Sequence, residues 1–565
     1  MLNLKIEKKT FYRIFVLILS ITFLGGMLQP IQQELNVSKD FAIKYSKSLK
    51  ISEIFGNNLN STYSNASYIG EALDNQLGNS LSIIGDVNGD GFDDFMIGAG
   101  RNDDGGDLAG KAYLFFGKVS GWYNGLNISQ ADASFIGENT WDRFTSSISG
   151  VGDVNGDGYD DFLIGAHYNN DGPGSNAGKC YLFFGKENGW QRDFSCSQAD
   201  ASFIGEADSD YLGNSVAGIG DVNGDGYDDF MIGSGSNDEG GLSAGKSYLF
   251  FGRETGWIQN VGCSTANVSY IGESANDVSG KELSGVGDVN NDSYDDFLIC
   301  ADSNSDGGLS AGKVYLFFGK VSGWHNSIVS ECGASFIGEI SNDRLGSSTS
   351  GAGDINGDGY DDFLIGAAYN DDGDGDNAGK SYLIFGKKTG WKRKLNCSEA
   401  DASFMGESDS DFSGEAVSMV GDVNGDGYDD FLIGASSNDD GGLSAGKSYL
   451  FFGEENGWER NINCSQADAS FIGENSVIQF GESLSGVGDV NGDDLDDMMI
   501  SAQLNDEGGT DSGKVYLFFG RLFENSPSGS TNSPTNEIPG FNILFLFTLF
   551  GISILLIINY KFHKK

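Results

Sequence analysis

Seven acidic loops of nine residues hold the chemistry that this chain can do. They begin at Asp86, Asp153, Asp221, Asp288, Asp354, Asp422 and Asp489, 66 to 68 residues apart, and the commonest form is D-V-N-G-D-G-Y-D-D. Positions 1, 3, 5 and 9 offer side-chain oxygens and position 7 a backbone carbonyl. That is the hard-donor set from which Ca²⁺ takes about six to eight ligands. The candidate metal ligands of the first loop are Asp86, Asn88, Asp90, Phe92 through its carbonyl, and Asp94. Those of the second are Asp153, Asn155, Asp157, Tyr159 and Asp161, and of the third Asp221, Asn223, Asp225, Tyr227 and Asp229. The fourth offers Asp288, Asn290, Asp292, Tyr294 and Asp296, and the fifth Asp354, Asn356, Asp358, Tyr360 and Asp362. The sixth and seventh offer Asp422, Asn424, Asp426, Tyr428 and Asp430, then Asp489, Asn491, Asp493, Leu495 and Asp497. Glycine at position 6, as at Gly91, suits the positive φ of so tight a loop. Several carboxylates in nine residues repel one another unless a cation neutralises them, so up to seven Ca²⁺ are expected as cofactors. The plainer alternative is an acidic turn that binds nothing. An EF-hand places a Glu at position 12 between two helices. Ile97 stands there in this chain, and the flanks S-L-S-I-I-G and F-M-I-G-A are short β-rich runs.

Something must position seven such loops alike. Each repeat has four strand-sized segments in constant order, with Gly, Asn and Asp in the turns. In the first copy they are S-Y-I-G-E (67–71), S-L-S-I-I-G (80–85), F-M-I-G-A (95–99) and G-K-A-Y-L-F-F-G (110–117). The Y-L-F-F and F-L-I runs are apolar on both faces, as strands sandwiched between neighbouring sheets should be. No stretch of 63–523 has a helical period. Four-stranded sheets repeated radially make a β-propeller, so the pattern predicts an all-β ring of seven four-stranded blades. A β-solenoid competes, but its repeats are shorter and it has no means of closing. This chain has one. The S-F-I-G-E strand precedes the first acidic loop and never follows the last Y-L-F-F-G (516–520). Blade seven must therefore take its outer strand from residues 67–71, which closes the ring and removes its open edges.

The run D-x-N-G-D-G-Y-D-D followed by F-x-x-G-A resembles the FG-GAP repeat, found in the seven-bladed propeller at the N-terminus of integrin α subunits. The resemblance covers about 460 of the 565 residues, roughly 63–523. It implies Ca²⁺ in loops between the first and second strands of a blade. It also implies a ligand on the opposite face, formed by loops joining strands two to three and four to one, such as 102–106 and Ala72 to Leu77. No integrin leg domains are expected after blade seven, and every blade has an acidic loop where integrins restrict them to some. Among the seven copies the four-to-one loops differ most, and Trp141, Arg143, Tyr211, Arg344 and Phe412 lie in or beside them. Exposed aromatics and arginines are common anchors of binding. A loop without packing constraints also drifts freely. Two other recurrences read as structural. Six tryptophans (Trp122, Trp190, Trp257, Trp324, Trp391, Trp458) follow the third strand in a G-W turn and should pack over a blade edge rather than stack on sugars. Five of seven cysteines lie shortly before an outer strand, too far apart between blades to form disulfides.

A net charge of −48 argues against a nucleic-acid partner, whose phosphates would be repelled. Lys5, Lys8, Lys9 and Arg13 ahead of the apolar run Ile14–Leu24 read as a signal peptide or signal anchor (1–30), followed by a spacer (31–62). After the propeller (63–523) come a Ser/Pro/Asn linker (524–540), an apolar segment (541–559) long enough to cross a bilayer, and a basic tail (560–565). Pro539-Gly540-Phe541 with that segment and tail resembles the PGF-type sorting signals of archaeal surface proteins, which are replaced by a lipid anchor. Asn542 stands where that family favours glycine. N-x-S/T acceptors occur at Asn36, Asn60, Asn65, Asn127, Asn267, Asn396 and Asn463, with Asn291 discounted because it lies inside a metal loop. The expectation is a cell-surface, membrane-anchored, non-enzymatic module for adhesion or recognition, with an extracellular protein or glycan as ligand. The alternative is an extracellular hydrolase or lyase acting on polysaccharide or lipid, since propellers host enzymes too. That reading needs a catalytic constellation that breaks the seven-fold repetition. The two propeller histidines, His167 and His325, occupy non-equivalent positions.

Overall fold

The structure, a computed structural model, describes residues 57–521 apart from position 374. The spans 1–56 and 522–565, with the signal, sorting segment and tail expected there, lie outside the described residues. Among those described, every regular element is a strand or a three-residue 3-10 turn, and no helix is long and apolar enough to cross a membrane.

The strands form seven separate sheets. In blade one Leu77–Gly85, Asp94–Ala99, Lys111–Phe115 and Ala133–Ile136 pair antiparallel in that order, and the first strands of adjacent blades pack beside one another. Aromatic and β-branched residues dominate the second and third strands, as a pleated surface favours. These strands are buried on both faces, at D-F-M-I-G-A and K-A-Y-L-F alike. The core is correspondingly divided into seven clusters between neighbouring sheets. One joins Val487, Met499 and Leu517 of blade seven to Leu77, Phe95, Ile97 and Phe115 of blade one. The six G-W tryptophans pack against such clusters. Trp122 lies 6.3 Å from the Phe95 ring, and its Nε1–H donates to the Lys118 carbonyl at 2.8 Å. All seven cysteines are free and buried.

Ring closure runs through the N-terminal segment. Ala66–Ile69 pairs antiparallel with Lys514–Phe518 of blade seven, placing Ser67 opposite Tyr516. The Asn65 side-chain oxygen also accepts the Phe519 N–H at 3.1 Å. The ring begins earlier than the expected boundary at 63, because Leu59–Asn60 pairs with Ala469–Ile472 of blade six. This second junction exposes a difference from the four-stranded pattern: each sheet has five strands. After its third strand the chain crosses back along the outer edge of the preceding blade, and two residues pair there in parallel. Leu126–Asn127 does so on Ala66–Ile69, and Phe194–Ser195 on Ala133–Ile136. Two residues are too few to show the alternation by which a strand is read from sequence.

Candidate metal loops and the face opposite them

Each acidic loop joins the first and second strands of its blade, so all seven lie on one face. Their glycines coil the backbone as the spacing predicts. Position 6 has φ near +89° at Gly91, and a Cβ there would meet nothing within 4 Å. Only the backbone preference therefore selects glycine at that position. Position 4 is different. A Cβ on Gly89 would come within 2.6 Å of the Tyr159 ring from the next blade's loop, so adjacent loops interlock.

Within the loop the predicted ligands hold one another and the backbone. Asp86 Oδ1 accepts from the N–H groups of Gly89 and Asp90, and Oδ2 from Gly91. Asp90 Oδ1 accepts the Phe92 N–H at 3.1 Å. Asp94 opens the second strand, fully buried. It accepts from the Val87 and Gly117 N–H groups and from the Asn88 amide at 3.1 Å. The same bonds from the glycine after the third strand reach Asp161, Asp229, Asp296, Asp362, Asp430 and Asp497. Burial first, and then the like charges of Asp90 and Asp86, push the Asp94 carboxyl up to about 8 against the backbone bonds that favour its anion. Asp161, Asp229, Asp296, Asp362 and Asp497 are raised alike, and Asp430 well above the usual range.

Among the described residues no three carboxylate, imidazole or thiolate groups converge as a preformed metal cluster. The donor set nevertheless fits a hard divalent cation. Asn424 at position 3 is 1% exposed, and its Oδ1, the atom expected to ligate, has no partner, while its Nδ2 is bonded to Asp430. An orphaned buried oxygen beside a carboxylate whose anion lacks a counter-charge is an arrangement that a bound cation completes.

Sequence reasoning missed two rings of contact between blades. The first uses the aspartate at position 8. Asp160 Oδ2 accepts the Asp86 N–H of the previous loop at 2.8 Å. Asp228, Asp295, Asp361, Asp429 and Asp496 repeat this, and Asp93 closes the circle on Asp489. The signal was the constant D-D pair, only half of which the ligand pattern uses. The second ring lies at the far end of the blades. The lysine of G-K at the start of each third strand is 2% to 7% exposed. It pairs with the glutamate after I-G of the preceding blade's outer strand and with an acidic residue of its own two-to-three loop. Lys313 meets Glu273 at 3.0 Å and Asp306 at 2.7 Å, and Lys111 meets Glu71 at 3.2 Å and Asp104 at 2.6 Å. A lysine repeated seven times inside an apolar strand was the available signal. The 102–106 loop is accordingly half structural. Asn102 is buried against Glu71 and Tyr113, and Asp104 is tied to Lys111.

The four-to-one loops on this face share an unusual backbone. Gln76, Arg143, Tyr211, Val278, Arg344, Phe412 and Gln479 occupy one repeat position, and all are left-handed, with φ between 47° and 57°. L-residues rarely take that conformation, and a β-branched valine least of all. It is held by bonds to the preceding blade's two-to-three loop, as from the Arg143 N–H to the Leu108 carbonyl. Seven side chains of five kinds thus share one backbone, and none is fully buried. Two groups break the seven-fold regularity. The Arg143 guanidinium lies 5.4 Å from the Tyr168 ring, which meets Tyr211 edge-on at 5.4 Å beside the half-buried His167. Arg344 lies 5.0 Å from the Tyr369 ring, which meets Phe412 at 5.3 Å. Trp141 is 53% exposed nearby in sequence.

The architecture is that of a seven-bladed β-propeller built from repeats with a cation-type loop. Six segments, 77–115, 144–183, 212–250, 345–384, 413–451 and 480–518, match the FG-GAP repeat, and blade four falls outside the matched spans. The chain is similar to integrin alpha-6 of Gallus gallus, 29% identical over 166 residues, covering 29% of this chain and 14% of that protein. It is 32% identical to integrin alpha-PS5 of Drosophila melanogaster over 168 residues (29% and 15%). Against integrin alpha-V of Gallus gallus it is 29% identical over 234 residues (40% and 20%). The chain thus spans at most a fifth of these relatives' length. Fold and comparisons together support an integrin-like FG-GAP propeller.

Proposed function

We propose that this propeller is a non-enzymatic, cell-surface recognition or adhesion module. Its acidic loops bind Ca²⁺ as scaffold, and its opposite face binds an extracellular protein or glycan. One observation carries the reading: the left-handed position of the four-to-one loops keeps its backbone in all seven blades while its side chain changes from Gln to Arg, Tyr, Val and Phe. Strained backbone that is over-determined by its surroundings tends to mark a functional surface. Arginine and aromatic side chains are the types that anchor interfaces. The integrin names of the similar proteins support adhesion. Membrane attachment through 541–559 belongs to the same proposal. Within each loop the residues at positions 1, 3, 5, 7 and 9 would hold the ion, and the ion would supply the positive charge that the carboxylates lack.

Binding of the chain to surface extract and to an array of glycans, compared with the double variant R143A/R344A, tests the reading. A loss of tenfold or more is expected, given the usual weight of such anchors (about 1.4 kcal/mol per tenfold). Equal binding by the variant, with the fold intact, would place the ligand elsewhere.

A further inference from the structure

Four N-x-S/T tripeptides fall at one repeat position, and that position has a single geometry. Asn60, Asn127, Asn396 and Asn463 end the two-residue fifth strands laid on blades six, seven, four and five. Each begins a 3-10 turn. Its Oδ1 accepts the N–H of Thr62, Ser129, Ser398 or Ser465 at 3.0 to 3.1 Å. The same oxygen accepts that residue's hydroxyl, at 2.7 Å for Thr62 and 2.5 Å for the three serines. The oxygen is therefore fully engaged. Among the described residues no bond uses the Nδ2 of these four, and the hydroxyl residues are exposed.

The other described tripeptides lack this arrangement. Asn65 and Asn267 spend Oδ1 on the N–H groups of Phe519 and Phe251, and their hydroxyl partners Ser67 and Ser269 are buried in outer strands. Asn291 commits Nδ2 to the Gly359 carbonyl at 2.8 Å. Nor does the turn itself require asparagine. In blades one, two and three the same position is Ser195, Gly262 and Ile328. Ser195 makes the same cap, and the other two make none.

We propose that Asn60, Asn127, Asn396 and Asn463 carry N-linked glycans, which form one continuous carbohydrate arc along the rim of blades four to seven and leave blades one to three bare. The proposal rests on the cell-surface reading above. Each Nδ2 would attack the anomeric carbon of a lipid-phosphate-linked oligosaccharide. The new bond is C–N, and the bond that breaks joins that carbon to the phosphate oxygen. The lipid phosphate leaves with the electron pair, and the amide proton passes to base. A glycan on the outermost strand also blocks pairing by that sheet edge.

The competing role for these asparagines is capping alone. Two variants separate the roles: S398A keeps the Asn396 cap on the backbone N–H but destroys the tripeptide, and N396S keeps the kind of cap that Ser195 makes. The full chain would be labelled on its native cells with an amine reagent that cannot cross membranes. The labelled pool would then be examined by site-resolving peptide mass spectrometry. The expected result is sugar mass on Asn60, Asn127, Asn396 and Asn463, none on Asn267 or Asn291, and loss of the Asn396 sugar in both variants with an unchanged melting midpoint. Bare asparagine at the four positions in labelled protein, equal occupancy at Asn267 and Asn291, or a lower midpoint in S398A with no mass lost would overturn it. A chain that takes no label overturns the cell-surface reading itself, and the label alone tells that failure apart.

Discussion

At the scale of single residues, the fourth loop stands apart from its six relatives. It reads D-V-N-N-D-S-Y-D-D, with Asn291 at φ 55° and Ser293 at φ 73° where the common form has glycine. Its candidate ligands Asp288, Asn290, Asp292 and Asp296 are all present, so the site keeps its donors but strains its backbone. A serine held left-handed costs on the order of 1 kcal/mol relative to glycine. The blade-four ion should therefore leave first as calcium falls, which crystal structures across a chelator series would record. A blade-four ion that outlasts those of blades one to three contradicts the argument. Ser293→Gly should raise the melting midpoint by the equivalent of about 1 kcal/mol, because open space at position 6 leaves nothing to collide. The Ser293 departure was legible in the sequence, since the seven copies can be compared with one another. The contact of Asn291 was not, because its amide reaches the Gly359 carbonyl of the next loop at 2.8 Å.

At the scale of elements, the pieces that sequence reasoning recovered are those with a local signature. The four main strands declare themselves by apolar runs and flanking glycines, and the loops by their carboxylates. The fifth strands and both inter-blade rings were not legible. Their partners come from another repeat, and a charged residue at a strand start reads as solvated until its partners are known. The buried lysine gives this level its test. Lys313 is 2% exposed, between Glu273 at 18% and Asp306 at 29%. Removing it strands the Glu273 carboxylate, while Asp306 keeps Lys394 at 3.2 Å, so Lys313→Met should cost about 3 kcal/mol, the low end for breaking a buried pair. Urea unfolding of the variant would measure this, and a cost below about 0.5 kcal/mol, the scale of an ordinary surface change, would mean that the ring is not a fastening.

At the scale of the whole molecule, closure and metal decide stability together. Closure was legible from one missing strand, and the structure bears out that Ala66–Ile69 completes blade seven. It adds that Leu59–Asn60 grips blade six as well. Deleting residues 57–71 should therefore expose two edges far from the cut in sequence, and light scattering should report aggregation. A truncated chain that stays monomeric and melts at the parent midpoint contradicts the closure account. The central claim is that the acidic loops are calcium sites joining the blades into one cooperative unit. Each loop's first residue donates its N–H to the next blade's aspartate, so filling a loop also steadies its neighbour. A ligand that binds only the folded state adds about 2.7 kcal/mol per site at a hundredfold excess over Kd. The most direct measurement is the thermal unfolding of residues 57–521 in excess Ca²⁺ and in EGTA. The account predicts a single transition in both, with the midpoint lower in EGTA by on the order of 10 °C or more. Equal midpoints would contradict it.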